Sequence, residues 1–298
     1  MKQIMSMICF ITLVLSLCSC GGERIKYTIY SDFDLKSGIQ SGALDISLPN
    51  NVELKSEGEI DFSPLNEEEI DPNDAAKTRE VQISDFSYSV GLVKSYKNDL
   101  SNIERYKGQY SKYNKYRGQD ATVELLENTD KIVFFSITNR EDRTAEGNCT
   151  EDEAIHIAEE TLNSLYGKEI AENYVQSKAI FSDSGTKTGY FIVFERKEDV
   201  FGILTDDYIE ISVNKAGKII AINARFMGVF DTAKEDISKK ELENALDTLE
   251  KSIKGVWKIA EKRLVIDSKG DYYIRVYTLN DGKNASAFPP PVLHINVK

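Results

Sequence analysis

Few side chains in this sequence are placed to do chemistry. It has two histidines and four cysteines. His156 lies one helical turn from Glu153 and from Glu160, and a His/Glu pair on one face can contribute to a metal site. Zinc takes three or four such ligands. The His-Glu-x-x-His pattern that would help supply them is missing, because no second histidine follows Glu159 and Glu160. A solvated i,i+4 pair is the expected state. His294 is expected on the outer face of a terminal strand. Cys149 is the single thiol left once Cys9, Cys18 and Cys20 are set aside, which rules out an internal disulfide. It directly precedes a helix cap, where a small apolar side chain packs, so packing rather than nucleophilic attack is its expected role.

Gly-x-Ser-x-Gly, Walker, dinucleotide-glycine and Cys-x-x-Cys patterns are all absent. Carboxylates such as Asp206 and Asp207 are plentiful, but neighbours on a strand face opposite ways. Asp71-Pro-Asn-Asp74 lacks the glycine and the distal glutamate of a calcium loop. No catalytic residue, metal or cofactor is therefore expected.

The most distinctive local chemistry is a run of tyrosines and cations. Tyr106, Tyr110, Tyr113 and Tyr116 alternate with Lys107, Lys112, Lys115 and Arg117. From Lys94 to Arg117 there are seven basic and two acidic residues, in a chain of net charge −12. Aromatics interleaved with cations can stack on rings and contact anions. Tyr106, Tyr110, Lys112, Tyr113, Lys115, Tyr116 and Arg117 are accordingly a candidate binding face for a wall polymer, a glycan or an acidic protein. The plainer alternative is a tyrosine-lined strand pair with lysines on its solvated side. The acidic balance argues against nucleic acid and against charge-driven adhesion to an anionic membrane.

The N-terminus supplies a compartment. Met1-Lys2-Gln3 is followed by fourteen residues, Ile4 to Leu17, that are apolar apart from Ser and Thr. That is shorter than the ~20 residues of a spanning helix and suits a signal-peptide core. Leu17-Cys18-Ser19-Cys20-Gly21 closes it and resembles a bacterial lipobox, with Cys20 as the lipidated residue. The expected protein is anchored to a bacterial membrane on its extracytoplasmic side.

The elements that would position any site are clearest after residue 145. Thr150-x-x-Glu153 reads as a capping box, with Cys149 and Ala154 in staple positions. Ala154, Ile155, Ala158, Thr161, Leu162 and Leu165 recur at helical spacing, and Gly167 closes the helix. Strand-like runs follow at Lys178–Phe181, Gly189–Phe194, Tyr208–Val213 and Lys218–Ile222, divided by turn residues. Ser238-x-x-Glu241 opens a second helix, and Arg263–Ile266, Asp271–Tyr277 and Val292–Val297 follow as strands. The plan repeats at a spacing of about 85 residues, too long for a solenoid. The second copy ends one strand short, which would leave an open sheet edge at the C-terminus able to accept a partner strand.

Thr150-Glu-Asp-Glu-Ala-Ile-His-Ile-Ala, the Tyr190–Phe194 strand and Ile211-Ser-Val-Asn-Lys-Ala-Gly-Lys-Ile together resemble the PepSY and PepSY-like domains of bacterial extracytoplasmic proteins. The resemblance covers about residues 145–298. It implies a helix-on-sheet fold and a non-catalytic role, with an inhibitory or chaperone-like action on peptidases. It brings no catalytic residues to this chain.

The first half is less patterned. A strand is expected at Arg24–Ser31 and a loop at residues 33–50. Glu53–Glu80 holds ten acidic residues and two prolines, which predicts a poorly packed acidic linker at about residues 50–80. Val81–Tyr88 reads as a strand, Val90–Tyr106 as a helix, and residues 121–137 as a hairpin from a third, divergent copy.

The expected fold is α+β: tandem small domains, each one helix packed on an antiparallel sheet of three to four strands. The boundaries are a lipoprotein signal peptide at 1–19, a divergent N-terminal region at 20–144, a PepSY-like domain at 145–230 and a shorter one at 231–298. The expected function is non-catalytic binding or regulation, with an envelope protein, a peptidase or a wall polymer as partner. An envelope structural protein and an unrecognised hydrolase are the alternatives.

Overall fold

The computed structural model describes residues 27–32, 35–62, 66–71, 75–98, 112–127, 129, 131–183, 188–198, 202–225, 237–280 and 290–296. Cys20, Tyr106 and Tyr110 lie outside them.

The helix opening at Thr150 forms as its residues dictate. Helix α3 (Glu151–Tyr166) carries both halves of the capping box. Thr150 accepts from the Glu153 amide, and the Glu153 carboxylate accepts from the Thr150 amide at 2.8 Å. That hydrogen bonding holds the Glu153 carboxyl below its ordinary range. Among the described residues two short α-helices precede α3, namely α1 (Leu35–Gln40) and α2 (Arg140–Arg143). A single turn, α4 (Lys168–Ala171), follows it. Ala154, Ala158, Thr161 and Leu162 are buried on its inner face.

After α4 comes a meander of β9 (Tyr174–Asp183), β10 (Thr188–Glu198), β11 (Ile203–Asn214) and β12 (Ile219–Arg225). Every neighbouring pair is antiparallel. Gly147 lets the preceding loop lie on the β11–β12 turn: a Cβ there would come within 2.3 Å of the Lys215 carbonyl. The Cys149 amide donates to that same carbonyl at 3.0 Å.

The tandem small-domain fold is not what forms. The strands join one 15-stranded mixed sheet. β12 does not end a four-stranded unit, because it pairs with β8 (Ile132–Ile137). β8 continues through β7 (Ala121–Leu126), β6 (Lys112–Arg117) and β5 (Phe86–Asn98) to β3 (Glu67–Ile70) and β4 (Thr78–Ile83). The hairpin at 121–137 therefore widens the central sheet. The reason lies in burial: Val123, Phe135, Ile209, Ile211 and Ile222 are all fully inside one core with Ala154 and Ala158. A four-stranded sheet would leave much of that surface in water. The Tyr166 hydroxyl fastens the far end of α3 to β8 by donating to the Ile132 carbonyl at 2.8 Å.

The second helix, α5 (Lys239–Ile253), packs Leu242, Ala245, Leu249 and Ile253 into a separate core. Its strands are β13 (Trp257–Ile266), β14 (Tyr272–Asn280) and β15 (Val292–Asn296). The open C-terminal edge is also corrected. β1 (Tyr27–Ser31) occupies it, antiparallel to β15, and β2 (Val52–Ser56) adds in parallel beyond β1. The missing strand comes from the opposite end of the chain, a long-range pairing that local pattern does not encode.

Two other segments differ from expectation. Residues 90–106 do not begin as a helix: β5 runs for 13 residues. Tyr88 and Val90 are buried at strand period while Val93 is 49% exposed, so the helical spacing of Val93 and Tyr96 is incidental. The acidic segment holds β2, β3 and β4 rather than a linker, and its Glu68 and Glu69 face lysines. A turn at Ser84 (φ 49°) joins β4 to β5. Residues expected as loop include α1, with Leu44 and Ile46 buried beyond it.

The two cores meet at β11. Ile203 sits in the second core, while Ile209, Ile211 and Val213 sit in the first. Here β11 pairs in parallel with β13 over two positions only, Leu204 with Arg263 and Thr205 with Leu264.

Candidate functional site

The tyrosine–lysine segment lies on β6, between β5 and β7. Strand alternation divides it. Tyr116 is fully buried and belongs to the first core. Tyr113 stacks on Tyr96 with centroids 5.3 Å apart. Burial and the nearby Glu67 carboxylate push its hydroxyl far above the usual tyrosine range. Lys115 contacts Glu124 at 2.7 Å and Lys112 contacts Glu127 at 3.8 Å. On β5, Lys94 and Lys97 contact Glu69 and Glu68 of β3 at 2.6 and 2.9 Å. Strand pairing thus sets the acidic segment against the basic one. Arg117 is the exposed cation at the end of β6. The structure brings Lys112, Tyr113, Lys115, Tyr116 and Arg117 onto one strand, with their cations largely matched by neighbouring acids.

The two histidines part company. His156 is exposed, 3.2 Å from Glu160. His294 is fully buried rather than on an outer face. A strap of residues 57–62 covers it. Ile60 is buried against Val265 and Tyr273, Asp61 bonds to Ser268, and the Phe62 ring lies over the imidazole with centroids 4.5 Å apart. The His294 Nε2 accepts from Arg275 Nε at 2.9 Å. A guanidinium can only donate, so the imidazole proton is on Nδ1, which faces the Glu57 carboxylate at 3.6 Å. Burial and the Arg275 cation push the imidazole down to about 3. Burial and Asp32 push Glu57 up. The contact is therefore a neutral imidazole facing a carboxylate, not an ion pair.

Cys149 is half-buried against the first core. Burial and Glu153 push its thiol up, away from reactivity.

Charged groups cluster where the cores meet. Asp206 and Asp207 face opposite ways, Asp206 to Arg275 at 3.2 Å and Asp207 to Arg196 at 3.7 Å. Arg263 of β13 contacts Glu195 of β10 at 2.8 Å, bonds to Glu261 and donates to the Thr205 carbonyl at 3.4 Å. Burial pushes the Glu195 carboxyl up, but bonds from Arg263 and Ser177 outweigh it and hold the group below the usual carboxylate range. Each of these acids is matched to an arginine, an arrangement that clasps two cores together.

The surface best shaped to engage another molecule is β9. It pairs with β10 on one side, and among the described residues no strand pairs with its other side. It is ten residues long, with Val175, Ile180 and Phe181 exposed at 42, 53 and 44%. Protein edges are ordinarily short, bulged or heavily charged. A register shift places a bulge near Ser177, so the regular stretch is Lys178–Asp183, opposite Val193–Thr188. The sequence marks β9 as a strand through Lys178-Ala-Ile-Phe. Nothing in that run marks it as an edge, because the identity of a strand's neighbour is a tertiary fact.

No protein-family model matches the sequence, and no curated protein matches it. Among solved structures, the Bacillus megaterium YpeB C-terminal domain aligns over 76% of this chain and 88% of that chain, at 12% identity and a TM-score of 0.32. A likeness that loose carries no argument about function. Among the described residues no helix is long and apolar enough to cross a membrane.

Proposed function

We propose that this chain is a non-catalytic, lipid-anchored extracytoplasmic protein that binds an extended segment of another envelope polypeptide by adding it to β9. The open, apolar Lys178–Asp183 edge carries the reading. An added strand satisfies the outward amides and carbonyls of β9 and covers Ile180 and Phe181. A peptidase or its propeptide is a suitable source of such a segment. The tyrosine–lysine face is the weaker alternative because its lysines are engaged by Glu69, Glu68, Glu124 and Glu127.

Adjacent residues of an edge strand point their amides to opposite sides. One of Ala179 and Ile180 therefore bonds β10, and the other faces outward. An array of decapeptides screened against the full chain should yield binders. Of Ala179→Pro and Ile180→Pro, the variant losing the outward amide should keep its fold and lose at least tenfold in affinity. Binding equal to the parent in both variants, or no binder at all, refutes the edge.

Anchoring through Cys20 has a separate test. Cys20→Ala should move the protein from the membrane to the soluble fraction, and unchanged fractionation counts against the anchor.

A further inference from the structure

We propose that the β9 edge, on the strand-addition reading above, selects segments in which an acidic side chain is followed or preceded two residues away by an apolar one. Lys178 and Ile180 are exposed and share one face of the sheet at adjacent same-side positions, opposite Val193 and Phe191. An added strand presents its own side chains to that face at the same period of two. Directly opposed unlike charges favour pairing and like charges oppose it. Lys178 therefore wants a carboxylate, and Ile180 wants a branched or aromatic residue beside it.

Among the described residues, the acids near the edge are engaged by groups other than Lys178. Glu195 lies within its field but is committed to Arg263 at 2.8 Å. Asp183 accepts from the Thr188 hydroxyl at 3.0 Å, and Glu172 contacts Lys168 at 3.7 Å. On the other face, Phe181 packs on Tyr190 with centroids 5.2 Å apart. Lys215 sits 5.1 Å from the Phe181 ring centroid, a second cation beside the same stretch. The chain's net charge of −12 opposes an acidic partner only at long range. At physiological salt that field is screened beyond about 8 Å, so the local cations decide.

Two blocked nonapeptides test this against the full chain. Both place valine at two-residue intervals around a central residue on one face and threonine on the other. The central residue is glutamate in one and lysine in the other. The glutamate peptide should bind about tenfold tighter, a difference that opposed pairs and the lost repulsion together supply. Lys178→Glu, an exposed change that leaves the fold alone, should abolish or reverse that preference. Equal affinity of the two peptides, still sensitive to proline at 179 or 180, overturns the acidic preference and leaves the edge reading standing. Failure of both peptides to bind in an edge-dependent way overturns both readings. A concentration-dependent dimer abolished by the same proline assigns the edge to a second copy and also overturns the proposal.

Discussion

A His294→Gln substitution is expected to flatten the acid side of the stability profile. His294 is fully buried and its imidazole sits at about 3, against an ordinary value of 6.5. The depressed base has a definite sign. Between those two values the unfolded chain takes up a proton on this residue and the folded chain does not. Stability must therefore fall as pH drops from 6.5 toward 3, by about 1.4 kcal/mol per pH unit. From pH 6.5, where half the unfolded chains are already protonated on this residue, to pH 4.5 the loss from this side chain alone is about 2 kcal/mol. Arg275, Glu57 and, through them, Asp206 and Asp32 set the local field. Glutamine can still accept from Arg275 and does not titrate. Urea unfolding of both proteins at several values between pH 7 and 4.5 gives the comparison. The other carboxylates contribute to both and largely cancel in the difference. The two curves should converge with acidification at about 1.4 kcal/mol per unit. Parallel curves would show that His294 is not buried neutral beneath the strap.

Arg263→Met is expected to cost about 3–5 kcal/mol at pH 7, the range for removing one partner of a buried ion pair. The guanidinium is 17% exposed and its Glu195 partner 10%. Removing it leaves a carboxylate among packed side chains with Ser177 as its remaining hydrogen-bond donor. The Glu195→Leu, Arg263→Met pair should recover most of the loss, because the buried carboxylate goes with its cation. The pH dependence separates this from a loss of packing. In the parent, Glu195 is held low, so its contribution is present above the ordinary carboxylate range and is lost as pH falls through its folded value. In Arg263→Met, burial dominates and the carboxyl rises, so protonation relieves the buried charge and the deficit shrinks toward pH 4. A single-variant loss under 1 kcal/mol by denaturant titration would mean that the pair does not hold β10 to β13.

Both effects come from residues whose partners lie far away in sequence, and that separates what was legible from what was not. The α3 cap was legible because Thr150 and Glu153 are three residues apart. The amphipathic stripe of α5 and the meander from β9 to β12 were legible for the same reason, since each needs only a local period and turn residues. Residues 90–98 read as helix because Val93 and Tyr96 stand three apart, and only the burial of Tyr88 and Val90, two apart, reveals the strand. The acidic stretch reads as linker because composition records charge, not the lysine strand it meets. Within the candidate site, Lys178, Ile180 and Phe181 were readable as a strand but not as an edge.

By itself, then, the sequence determined the elements: which residues cap a helix, which alternate, and where turns break them. Those rest on contacts between near neighbours along the chain. The tertiary structure alone decided that the two helix-and-strand blocks share one sheet, that β1 rather than a partner completes the C-terminal edge, and that among the described residues β9 is left open. Strand order is set by which apolar faces find enough area to bury across tens or hundreds of residues, and a local pattern contains no information about that choice.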